Sequence, residues 1–230
     1  MEEDLQLAGF SERTQKSYLG AVRGLTKHYK RPPDTLSEED IRSFFLHLIN
    51  ERHSAKSTVT IYLCGIKFFF ETTLKRKWIV FDLVRPATSK KLPLILSHEE
   101  VRTILRLVRK PIARMVLIII YSCGLRLSEG VRLKIEDIDS SRMLIWVRKG
   151  KGGKDRSIPL PERTLELLRS YWKMLRPVGY LFPGSAGHIN MANLQKTFKA
   201  ALLQSGIKKN ASIHSLRHYA EYRFMPSTIG

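Results

Sequence analysis

One stretch of this sequence divides everything around it. Residues 82–95 carry Pro86, Ser89-Lys90-Lys91 and Pro93, between two blocks of helical apolar periodicity. Each proline fixes φ and removes a backbone donor. The basic residues between them favour an extended, solvated chain. Apolar residues on the two sides therefore need separate cores. The spacing predicts a first domain over 1–82, a basic linker over 83–95 and a second domain over 96–230. A chain of 230 residues is long enough for two small cores.

The first block reads as helices alone. Ser11 caps a helix over 11–31, whose inner stripe is Tyr18, Val22, Leu25 and Tyr29. Pro32-Pro33 ends it. Ser37 caps the next helix, with Glu38, Glu39 and Asp40 on the first turn, where the helix dipole favours acids. Ile41, Phe44, Phe45 and Leu48 form its inner stripe. A third helix is predicted from about Lys56 to Leu74, carrying Val59, Tyr62, Ile66, Phe69 and Phe70.

The second block adds strands. Ser97-His98-Glu99-Glu100 has the S-x-x-E pattern of a capping box before Val101, Ile104, Leu105 and Val108. Residues 112–122 form a nearly all-apolar helix that Gly124 stops. Met143 to Val147 and Arg156 to Leu160 read as two strands of a hairpin around a Gly/Lys-rich tip. Helices follow over about 161–175, 190–205 and from Ile213 to Phe224. The predicted class is mainly α with a small β-hairpin or sheet, an α+β fold.

Charge narrows the partners. Forty Lys and Arg face 21 Asp and Glu, a formal net charge of +19. Residues 86–230 hold 26 of the basic and 10 of the acidic residues, so most of the excess lies in the second block. A polyanion, and above all nucleic acid, is the expected partner. The longest apolar run, Met115 to Tyr121, is seven residues, too short for a transmembrane helix. The acidic Met1-Glu2-Glu3-Asp4 does not suit a signal peptide. Cys64 and Cys123 sit in apolar surroundings with no paired spacing, so neither a disulfide nor a metal site is expected. These features lead to the expectation of a cytoplasmic protein.

Three short constellations bear chemistry. In Gly124-Leu125-Arg126-Leu127-Ser128-Glu129, a guanidinium at a helix start can fork onto a phosphate; paired with Glu129, it can equally be a surface arginine. Arg148-Lys149-Gly150-Lys151-Gly152-Gly153-Lys154-Asp155-Arg156 reads as a hairpin tip that presents Lys151, or as a solvated basic turn. In His214-Ser215-Leu216-Arg217-His218, helical spacing puts His214, Arg217 and His218 on one face. By itself that pattern also suits a core or capping histidine.

Taken in order, the three motifs resemble the tyrosine recombinase family of phage integrase and Xer-like proteins. The likeness runs over almost the whole length. It includes Ser11 to Tyr18 of a helical, SAM-like core-binding domain and Leu92-Pro93-Leu94-Ile95-Leu96-Ser97 at the entry to a catalytic domain. The resemblance implies site-specific DNA recombination or integration through a 3′-phosphotyrosyl intermediate, with double-stranded DNA as partner and no metal or other cofactor. It assigns Arg126 and Arg217 to the scissile phosphate, Lys151 to the leaving 5′-oxygen and His214 to proton transfer at the nucleophile. Glu129 and His218 take supporting roles. Phosphate contacts are expected from Lys90, Lys91, Arg148, Lys149 and Lys154, and in the first domain from Lys16, Lys56 and Lys67. A C-shaped clamp around the duplex is the expected arrangement.

In the family, the nucleophilic tyrosine lies a few tens of residues beyond the histidine–arginine helix. Here Gly230 comes thirteen residues after Arg217. The resemblance thus implies an incomplete catalytic domain without its nucleophile, deficient in cleavage and weakened in self-association. On a helix, Tyr219 and Tyr222 lie about 200° and 140° round from Arg217, and Tyr222, nearer the His214 face, is the substitute candidate. Two other readings stay open: a non-catalytic DNA-binding competitor or accessory factor at recombination sites, and a relative of type IB topoisomerases.

Overall fold

The structure, a computed structural model, describes residues 1–84, 94–148, 155–185 and 187–217. The chain forms two compact units, Met1–Lys91 and Leu92–Gly230.

The first unit is helical. α1 (Glu2–Leu7) and α2 (Glu12–Tyr29) come first, and Ser11 caps α2 by accepting from the Thr14 backbone N–H at 3.3 Å. α3 (Glu38–Leu46) opens on a full capping box, in which Ser37 and Asp40 each accept the other's backbone N–H. α4 (Lys56–Phe68) packs along α2, and α5 (Val80–Leu83) closes the described part of the unit. α3 and α4 each run on into a π-helical turn, His47–Glu51 and Phe69–Thr73. The expected stripes supply the core, with Leu25, Ile41, Leu48, Ile66 and Phe70 fully buried, while Tyr18, Tyr62 and Phe69 are half-buried at its edge. Sequence periodicity did not reveal α1. Its anchor is tertiary: Leu5 is buried, and Asp4 accepts from the Thr73 hydroxyl at 2.7 Å.

The second unit is organised around α7 (Pro111–Cys123), which follows α6 (His98–Leu107). α6 starts at the expected box, where Ser97 and Glu100 satisfy each other's backbone N–H. α7 carries seven buried residues along its thirteen, which suits a helix covered by α6, α9 and the short α8 (Leu127–Val131). Gly124 stops α7 at φ 64°, a left-handed conformation that costs little without a Cβ.

After α8, a 3-10 turn at Ile135–Asp137 leads into β1 (Ile138–Asp139), β2 (Leu144–Val147) and β3 (Arg156–Pro159). The three strands form an antiparallel sheet in the order β1-β2-β3. Ile145 faces Ile158 and Val147 faces Arg156, so β2 and β3 pair as the hairpin the sequence predicted. Its expected tip, residues 149–154, lies outside the described residues.

α9 (Glu162–Leu175), a small hairpin of β4 (Pro183–Gly184) and β5 (Gly187–His188), and α10 (Met191–Gln204) complete the order. A last described helical turn spans 213–217. Two bonds fix the segment that leaves α8. The Leu181 N–H donates to the Leu133 carbonyl at 2.8 Å, and the buried Tyr171 hydroxyl of α9 donates to the Leu181 carbonyl at 2.9 Å. Among the described residues, no helix is long and apolar enough to cross a membrane.

Candidate functional site

Arg126 is the N-cap of α8, directly after the Gly124 turn. Its neighbour Leu125 is fully buried and Leu127 packs against the core, so the backbone here is held from both sides. α8 also lies unusually close to α7. A Cβ on Gly130 would come within 2.8 Å of Ile120 Cγ1, so only glycine fits this crossing without a shift.

Glu129, on the first turn of α8, joins two distant arginines. Its Oε1 accepts from Arg126 Nη1 at 2.7 Å and Arg156 Nη1 at 2.9 Å. Its Oε2 accepts from the Arg126 backbone N–H at 2.8 Å and Arg156 Nη2 at 2.8 Å. Four donors thus occupy the acceptor positions of one carboxylate. The Glu129 side chain is only 8% exposed. Burial alone would raise its pKa, but the hydrogen bonds from Arg156 and Arg126 outweigh burial and hold it down at about 2. The same bonds raise the pKa of Arg156 further.

Arg126 keeps 35% of its side chain exposed and opens onto a depression of about 460 Å³. Arg132, Lys134, Trp146 and Arg148 line the same depression. Arg148 is held from behind: its Nε donates to Asp137 Oδ1 at 2.9 Å, and the other Asp137 oxygen accepts the Lys134 backbone N–H at 2.8 Å. Cationic groups in fixed positions on an open surface suit a polyanion better than an enclosed small molecule.

The 213–217 turn carries His214, exposed, and Arg217, half-buried. Ile213 and Leu216 are buried beneath it, and the buried Ser215 hydroxyl accepts the Ser212 backbone N–H at 3.2 Å. The segment before it is tied to the start of α6 by Lys209, whose Nζ donates to Glu100 at 2.8 Å and to the Ile95 carbonyl at 3.3 Å. His214 and Arg217 stand one helical turn apart, on one face, as their spacing predicted.

The structure therefore brings Arg126, Glu129 and Arg148 to one depression and places His214 and Arg217 on a separate turn of the same unit. Lys90, Lys91, Lys149, Lys151, Lys154, His218, Tyr219 and Tyr222 lie outside the described residues, as does the expected loss of the nucleophile. In the first unit, Lys16 is exposed on α2 and Lys56 is exposed at the start of α4. Lys67 is engaged with Asp82 at 3.2 Å and Glu71 at 3.6 Å, so a phosphate there would compete with two carboxylates.

Sequence reasoning did not assign Arg156 or Asp137 to the site. A signal for Arg156 existed. Along β3, Arg156 and Ile158 are half-buried while Ser157 and Pro159 are exposed. Counting by twos from Ile158 puts Arg156 on the inner face, where a guanidinium needs an anion. Asp137 had no comparable signal beyond the three-residue spacing to Lys134.

Known proteins resemble this chain in sequence and in fold. The family described as "Phage integrase, N-terminal SAM-like domain" matches residues 1–80, and "Phage integrase family" matches residues 95–229. A putative integrase/recombinase, y4qK, from Sinorhizobium fredii is 42% identical over 221 residues, covering 95% of this chain and 72% of that protein. Tyrosine recombinase XerD from Staphylococcus aureus is 27% identical over 243 residues, covering 95% of this chain and 82% of its own. Among solved structures, a lambda integrase dimer bound to a COC′ core site has the same fold. Its TM-score is 0.78 at 17% identity, over 96% of this chain and 85% of that one. A matching family over more than half the length, together with a relative at this level of identity, establishes that the chain belongs to the phage integrase family of tyrosine recombinases.

Proposed function

We propose that this chain binds duplex DNA in site-specific recombination and that Arg126 grips a backbone phosphate at the reacting position. The observation that carries the reading is the Arg126 guanidinium, fixed by Glu129 yet open to the depression. A donor held in place before its ligand arrives loses little conformational freedom on binding. It also stabilises charge that develops on the non-bridging oxygens when phosphorus is attacked. The lambda integrase and XerD relatives support the reaction class.

Within that chemistry, Arg217 is the second guanidinium on the phosphate, Lys151 the proton donor to the leaving 5′-oxygen, and His214 the group that moves a proton at the attacking hydroxyl. Glu129 holds Arg126 and does no chemistry, since a carboxyl titrating near 2 stays ionised at neutral pH. Arg148 contributes a neighbouring phosphate contact, which positions the duplex without reading its sequence.

Binding of a duplex of about 30 base pairs, followed across a salt titration, tests the reading. The logarithm of affinity is expected to fall steeply and linearly with the logarithm of salt concentration, because phosphate contacts release counterions. Arg126→Ala should shallow that slope by about one phosphate's worth. Wild-type binding that ignores salt, or an Arg126→Ala slope equal to wild type, would overturn it.

A further inference from the structure

We infer that Arg156 is a positioning residue whose charge makes Arg126 a phosphate site. This rests on the reading of Arg126 as the phosphate ligand. Arg126 with Glu129 alone is a neutral pair, so its far field is that of a dipole and attracts an incoming phosphate weakly. Arg156 binds the same carboxylate through both Nη atoms, at 2.9 and 2.8 Å. The three groups together then carry one net positive charge. That charge is partly removed from solvent, at 35%, 8% and 34% exposure for Arg126, Glu129 and Arg156, so salt screens it less than a surface lysine.

Geometry strengthens the case. Arg156 occupies one lone-pair position on each oxygen of Glu129 and fixes the plane of the carboxylate. Arg126 then meets that carboxylate through Nη1 alone among its side-chain nitrogens, which leaves its other N–H groups for a ligand. Without Arg156, Glu129 would be free to swing into a two-point fork with Arg126 and consume those donors. Across the depression the balance is already set, with Asp137 answering Arg148 and Glu136 answering Lys134 at 3.5 Å. No acidic group has to move for Arg156 to act.

The position also links two elements. Arg156 opens β3, opposite Val147 of β2, so the β2–β3 strand pair is pinned to the α8 residue that holds Arg126. Correct pairing of the hairpin and correct aim of Arg126 therefore depend on one carboxylate.

The test uses the full chain, a duplex of about 30 base pairs and the same salt titration. Arg156→Ala is expected to weaken binding about tenfold and to lower the salt slope by about one contact. Arg156→Lys should recover part of the affinity, because it keeps the charge and loses the fork. The deciding variant is Glu129→Gln with Arg156→Ala, which restores one net positive charge and removes the uncompensated buried carboxylate. It should bind more tightly than Arg156→Ala alone. A merely structural Arg156 would let the urea midpoint recover in the double variant while the salt slope stayed the same in wild type, single and double variants, and that result overturns the inference. Far-UV circular dichroism and urea unfolding of each variant separate loss of fold from loss of charge. Should Arg126→Ala leave wild-type binding and slope unchanged, the phosphate reading of Arg126 fails first. Should Arg126→Ala lower both and the double variant not recover, only the role of Arg156 fails.

Discussion

Asp137 accepts the Nε–H of Arg148 at 2.9 Å while exposing only 5% of its own surface. A buried carboxylate thus aims an arginine whose side chain is itself 60% exposed. Asp137→Asn keeps an acceptor for the Lys134 N–H and weakens the charge-assisted bond to Arg148. Its duplex affinity is expected to fall by about two- to fivefold. Adding Arg148→Ala should then cost less than it does in wild type, because the two side chains act as one unit. A mobility-shift titration of the four proteins at one salt concentration reads this directly.

Acid should weaken the second unit through Glu129. Its folded pKa, about 2, lies below the ordinary glutamate value of 4.5. A depressed carboxyl contributes its full stabilisation above the unfolded value, and that contribution is lost as pH falls from 4.5 toward 2. The shift corresponds to about 3 kcal/mol. Urea midpoints measured at pH 5 and pH 3 should drop in wild type and drop less in Glu129→Gln.

Tyr171→Phe removes the hydroxyl that serves the Leu181 carbonyl inside the core. A buried acceptor left unmatched costs about 1–3 kcal/mol. The loss should appear as a lower urea midpoint with an unchanged slope. In wild type, burial pushes the Tyr171 phenol up to about 12, so phenolate absorbance at 295 nm should show one late-titrating tyrosine fewer in the variant than in wild type.

Gly130→Ala places a methyl 2.8 Å from Ile120 Cγ1. The helix gains from the better residue, yet overpacking costs about 1–3 kcal/mol, so a net loss of stability is expected. Displacement of α8 also carries Arg126 with it, and duplex affinity should fall with stability. An alanine variant that binds DNA as well as wild type would show that α8 tolerates the shift.

Much of the fold was legible because its signals are local. Ser11, Ser37 and Ser97 each sit within three residues of the backbone group they satisfy. The strands Leu144–Val147 and Arg156–Pro159 flank a Gly/Lys-rich run that reads as a turn in the sequence. Local signals do not extend to α1, which depends on Thr73 reaching Asp4 from far along the chain. The same limit explains the site. Arg126 was visible from a motif, and Glu129 lies three residues away on the same helix turn. The partner that completes them, Arg156, comes from another strand, and only the register of β2 against β3 brings it there. Lys67 is the converse case. Its charge and its i,i+4 partner Glu71 are plain in the sequence, while the nearer carboxylate that engages it, Asp82, depends on how α4 and α5 meet.

The pairing of Val147 with Arg156 has a consequence for how the sheet is proofread. A slip of one residue turns every side chain of a strand to the opposite face. Ser157 would then face Glu129, and Arg156 would point outward. The carboxylate would lose the partner that makes two of its four bonds, and stranding a buried charge in this way costs several kcal/mol. A hairpin slipped by one residue is therefore penalised through the Glu129–Arg156 ion pair, which ties the edge strand of the sheet to α8.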